Sequence, residues 1–173
     1  MLRRLPYLLL LPAMLSCSKS DSSPTIDFGE GEGISYRDGN NLPAGPQDPT
    51  DWKSDGNWNQ AEQNLFKSIP VNVKDASKGS LYGAGFYPNP VRSKAIIFYR
   101  TPVVTTCKLV IVDKDYNVLT ENTFSNSIYP LESFTLNLFG SNFQKGRRYR
   151  LYYVMYNGTT LYTKGHGDIK MAE

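Results

Sequence analysis

Residues 147–164, RRYRLYYVMYNGTTLYTK, constrain the fold more than any other stretch of the chain. Side chains alternate across a β-strand with period two, and here Tyr149, Leu151, Tyr153 and Met155 oppose Arg148, Arg150 and Tyr152. An apolar row backed by a more polar one predicts a strand with one face on a core. Asn157-Gly158 then predicts a tight hairpin, since a type I′ turn needs two residues tolerant of positive φ, and the chain returns as 159–164. Four more segments rich in β-branched and aromatic residues, 93–100, 106–113, 117–124 and 133–139, are separated by turn residues. In the last of these Phe134, Leu136 and Leu138 share a face. Strands with an inside and an outside predict an all-β fold of two antiparallel sheets over one core.

The N-terminal third has a different character. MLRRLPYLLLLPAMLSC opens with a basic pair and an apolar run, the pattern of a secretory signal, and is too short to span a bilayer. Its ending resembles the lipobox of bacterial lipoproteins, which implies cleavage after residue 16 and acylation of Cys17. Ser18 in place of aspartate favours an outer-membrane destination. Cys107 is the only other cysteine, so lipidation of Cys17 leaves no intramolecular disulfide. Residues 18–50 carry six acidic and two basic side chains among Ser, Gly, Pro and Asn, which predicts a flexible tether over 17–51. A short helical segment is expected over 52–78. Asn59 and Glu62 have capping-box spacing, Ala61, Leu65, Phe66 and Ile69 lie near one face, and Pro70 ends the run. Trp52 and Trp58 flank this helix and are expected to dock it on the domain at 79–173.

FYPNPVRSKAIIFYR and TTCKLVIVDKDYNVL resemble the opening of immunoglobulin-like modules common in Bacteroidetes, among them type IX secretion C-terminal sorting domains and flagellar hook-capping domains. The resemblance rests on Tyr87, Pro88, Asn89, Pro90, Ile96, Ile97, Val110, Val112 and Asp113. It implies an immunoglobulin-like β-sandwich and no particular activity. Asn117 stands where those hairpins carry glycine, and LYTKGHGDIKM replaces the short finish of a sorting domain.

The candidate chemistry is sparse. DWKSDGNWNQAE places Asp51, Asp55 and Glu62 at the first, fifth and twelfth positions of an EF-hand loop, but Lys53 stands where the third ligand belongs. A turn and a helix cap explain those residues without calcium. His166, the only histidine, sits in KGHGD, and Cys107 or Asp168 are its available catalytic assistants. The competing reading makes Gly165 and Gly167 the hinge of a terminal strand that bulges or changes sheets, with His166 pointing outward. Tyr152, Tyr156 and Tyr162, with His166 and Asp168, are candidates for a binding surface. Removing Arg3 and Arg4 with the signal leaves seventeen basic against sixteen acidic residues, and no nucleic-acid motif is present, so a nucleic-acid partner is not expected. The expectation is a lipid-anchored envelope protein whose sandwich binds an envelope protein or a glycan without cofactor or catalysis. A type IX sorting domain and an enzyme centred on His166 are the alternatives.

Overall fold

The computed structural model describes residues 23–125 and 132–173, so the signal segment and Cys17 lie outside the described residues. The elements in chain order are β1 (Lys53–Ser54), α1 (Gln60–Asn64), β2 (Tyr82–Tyr87), β3 (Lys94–Arg100), β4 (Thr106–Val112), β5 (Val118–Ser125), β6 (Glu132–Asn137), β7 (Arg148–Asn157) and β8 (Thr160–Lys170). They form two antiparallel sheets, ordered β1-β8-β7-β4-β5 and β2-β3-β6. This is the all-β sandwich of two antiparallel sheets that the alternation predicts.

The alternation also explains how the sheets meet. Cys107, Leu109 and Ile111 of β4 and Tyr149, Leu151, Tyr153 and Met155 of β7 face inward, and so do Phe86, Ala95, Ile97, Tyr99 and Leu136 of the smaller sheet. Trp52 joins this core and stacks on Phe86 at 5.8 Å with the rings 7° from parallel. It was expected to dock the helix, and that role falls to Trp58 alone.

A second apolar layer lies on the far side of the five-stranded sheet. Val110, Val112, Tyr152, Val154 and Leu161 point outward there and are covered by Ile26, Phe28, Trp58, Phe66 and Val73. Trp58 stacks against Phe66 at 5.3 Å and meets Tyr152 edge-on at 5.5 Å. The capping box forms as predicted, with Glu62 N–H donating to Asn59 Oδ1 (3.0 Å) and Asn59 N–H to Glu62 Oε2 (2.6 Å). The tether expected over 17–51 is therefore corrected from Ile26 onward. Ile26, Phe28 and Ile34 are buried, and Arg37 exchanges two backbone hydrogen bonds with Asn89. Local composition is poor in apolar residues, yet three well-placed ones and a paired backbone suffice once a sheet face is there to receive them.

Two further expectations change. In the β7–β8 hairpin only Gly158 has positive φ, while Asn157 is still paired with Thr160, so the turn is Gly158-Thr159 rather than Asn157-Gly158. A glycine alone at the first central position is the type II′ pattern. The terminal strand does not bend at KGHGD. β8 runs straight through it, and the irregularity lies where Met155 pairs with Thr163 and Tyr156 with Leu161, which leaves Tyr162 as the extra residue.

Candidate functional site

The glycines of KGHGD answer to close approach rather than to φ, since neither adopts a left-handed conformation. A Cβ at Gly165 would strike the Lys53 carbonyl and the Tyr153 hydroxyl, and one at Gly167 would strike the Trp52 ring. Because the side chains alternate, Gly165 and Gly167 face the core while Lys164, His166 and Asp168 face the covering layer.

β8 is the strand that the rest of the chain seals. Its outward edge is occupied in turn by Asp55 N–H on the Lys164 carbonyl (2.8 Å) and Trp52 N–H on the His166 carbonyl (2.8 Å). Asp51 Oδ1 then accepts from Asp168 N–H (2.7 Å), and the Asn89 carboxamide donates to the Asp168 carbonyl (2.9 Å) and accepts from Lys170 N–H (3.0 Å). Val91 N–H completes the row on the Lys170 carbonyl (2.9 Å). Asn89 thus stands in for a strand residue, and its second N–H donates to the Ser35 carbonyl (3.2 Å). An edge that could template another strand is closed by the backbone of Trp52, Asp55 and Val91 and by the side chains of Asp51 and Asn89.

The ionisable groups gather on the covered face. His166 Nδ1 lies 2.8 Å and 3.0 Å from the two carboxylate oxygens of Asp55, whose Oδ2 also accepts from Trp58 Nε1 (2.7 Å). Burial works against the imidazolium, but the Asp55 carboxylate outweighs it and holds the His166 pKa above its ordinary value. Arg150 grips Asp168 in two-pronged fashion, Nε to Oδ1 at 2.6 Å and Nη2 to Oδ2 at 2.7 Å, and Nη2 also reaches the Asp27 carbonyl (3.0 Å). Burial nonetheless leaves the Asp168 pKa raised. Asp51 accepts from Ser35 N–H (2.8 Å) as well as from Asp168 N–H, yet burial pushes its carboxyl up to about 6. Beside this cluster, His166, Arg150 and Asp48 border a cleft of about 860 Å³ beneath the 27–34 loop.

The expected site residues separate accordingly. The three EF-hand carboxylates take different partners: Asp51 the backbone of Ser35 and Asp168, Asp55 the imidazole, and Glu62 the helix cap and the Tyr152 hydroxyl (2.9 Å). Among the described residues no group of His, Cys, Asp and Glu is arranged to hold a metal. Cys107 and His166 project from opposite faces of the same sheet, and the thiol, fully buried in the core, is pushed up to about 12 by desolvation. The tyrosine surface also divides. Tyr152 is wholly buried under the covering layer with Tyr156 packed at its margin, whereas Tyr162 packs against the inner core.

Sequence reasoning missed a cleft of about 400 Å³ on the outer face of the three-stranded sheet. Tyr82, Tyr87 and Phe98 line it, with Arg100, Asn41 and Ser133 at its margins. Its signal was present: Phe98 falls between Ile97 and Tyr99 and must point away from the core. Comparison with known proteins returns no matching family model, no matching curated protein and no matching solved structure.

Proposed function

We propose that the chain is a lipid-anchored cell-envelope protein, held through Cys17 and directed to the outer membrane, whose immunoglobulin-like sandwich is a non-catalytic binding module for an envelope protein or a glycan. The observation that supports a binding role is the asymmetry between the two outer faces. On the five-stranded sheet the outer face is covered by the 26–73 segment and its charged groups are held by one another. On the three-stranded sheet it carries an aromatic cleft that no described segment covers. Lipid attachment is tested by growing cells with an alkyne-tagged palmitate. The wild-type chain should take up the tag and partition with membranes, and Cys17→Ser should do neither. Membrane partition of the variant, or no tag on the wild type, would overturn the anchoring.

A second reading, an enzyme centred on His166, has one observation in its favour, the Asp55 carboxylate within hydrogen-bond reach of the imidazole at a cleft. Its named assistants are engaged elsewhere, Asp168 by Arg150 and Cys107 in the core. Loss of a measured hydrolytic activity in His166→Ala, with the fold retained, would establish that reading over ours.

A further inference from the structure

The cleft on the three-stranded sheet has a composition that selects its ligand. Phe98 lies down across β2 because Gly85 has no side chain; a Cβ there would come 2.7 Å from Phe98 Cζ. Tyr87 meets the Phe98 ring edge-on at 5.7 Å, so two aromatic rings are fixed against each other on a rigid sheet. Tyr82, paired with Arg100 across β2 and β3, is 57% exposed and carries its ring to the rim. Gly83 beside it has φ +62°, a turn in the backbone that breaks the regular pairing between Tyr82 and Gly85.

Aromatic faces set beside hydrogen-bonding groups match a flat ligand with C–H bonds on its faces and hydroxyls around its edge, which is the surface of a pyranose. The polar groups are available for it. The hydroxyls of Tyr82, Tyr87 and Ser133 and the guanidinium of Arg100 make no hydrogen bond or ion pair among the described residues, and Asn41 uses its Oδ1 on Arg37, which leaves its amide donors. Arg100 is exposed, and none of the residues lining the cleft is acidic. An unpaired guanidinium at an aromatic cleft favours a carboxylate, which it can hold with two parallel hydrogen bonds.

We infer that this cleft binds a carboxylated saccharide, its ring stacked on Tyr82 and Phe98 and its carboxylate on Arg100. The inference rests on the binding-module reading and names the ligand class for it. The test titrates the full chain, and its Tyr82→Ala and Arg100→Gln variants, with trigalacturonate, sialyllactose and neutral maltotriose, following amide chemical shifts and heats of binding. Both side chains are exposed, so both variants should keep the wild-type amide spectrum away from the cleft.

At least one acidic saccharide should bind saturably, with shifts confined to the cleft: Asn41, residues 82–87 and 98–100, and Ser133. Tyr82→Ala should weaken it about tenfold, as loss of an aromatic anchor does, and Arg100→Gln should reduce the acidic ligand to the affinity of the neutral one. No saturable binding of either acidic probe, or binding unchanged in both variants, would overturn the inference. Capture of an envelope protein at the cleft with no saccharide binding would also overturn it while leaving the envelope role intact. Absence of the acyl tag would strike the anchoring and not the cleft.

Discussion

Asn89→Ala should be among the most destabilising single truncations of a polar side chain in this protein. Asn89 is wholly buried, and its carboxamide makes three hydrogen bonds, to the Ser35 carbonyl, the Asp168 carbonyl and Lys170 N–H. Truncation leaves three backbone groups without that partner in a site with little access for water. At about 1 kcal/mol for each bond the loss is about 3 kcal/mol. Urea unfolding followed by tryptophan fluorescence measures it, since Trp52 and Trp58 belong to the two layers that meet here. With a urea slope of roughly 2 kcal/mol per molar the midpoint should fall by about 1.5 M at unchanged slope. Asn89→Asp should cost more at neutral pH, because a carboxylate would face two carbonyl oxygens. A loss below about 1 kcal/mol for the alanine variant would refute the claim that this side chain completes the edge of β8.

Other perturbations follow from the same construction. Trp58→Ala should cost about 3–5 kcal/mol by opening the covering layer around Phe66 and Tyr152, read as a fall in the unfolding midpoint. Gly167→Ala should lower stability by about 1–3 kcal/mol, because the new methyl meets a Trp52 ring already stacked on Phe86, whereas Gly56→Ala, with nothing near it, should be close to neutral. Stability should fall as pH rises from about 4 to 8. A carboxyl raised from 3.8 to about 6, as for Asp51, favours the folded state fully below its unfolded pKa and loses that contribution as pH rises through the folded value, about 3 kcal/mol in all. His166, also raised, adds a loss of the same sign above its ordinary pKa, so His166→Gln and Asp51→Asn should each flatten the slope. Unchanged slopes in both variants would contradict the assignment.

Strands β3 to β7 were legible because runs of β-branched and aromatic residues are bounded by turn residues, and in β3 and β6 buried and exposed positions alternate, local patterns that survive without knowledge of the partner strand. β8 was read short because its glycines were taken for a bend. Their cause is the Trp52 ring and the Tyr153 hydroxyl, which come from distant positions and leave no local trace. Tyr152 shows the limit from the other side. Alternation correctly set it opposite Leu151 and Tyr153, but a residue turned away from one core was taken as exposed, and a second layer covers it. That layer was hidden because 26–51 is polar on average, and its attachment depends on Asn89, Asp51 and the edge of β8. The pairing of Asp55 with His166 likewise needs β1 alongside β8, a contact across 111 residues. The Tyr82 cleft was open to the same alternation argument, applied to Phe98, and was missed because β2, YGAGFY, is too glycine-rich to read as a strand.

The account depends most on residues 26–58 being a folded layer of the sandwich. Hydrogen exchange on the mature protein tests this residue by residue. The amides of Arg37, Trp52 and Asp55, bonded to the carbonyls of Asn89, His166 and Lys164, should exchange as slowly as those at the centre of β7. Exchange of all three at the rate of an unstructured chain, with β7 still protected, would contradict it.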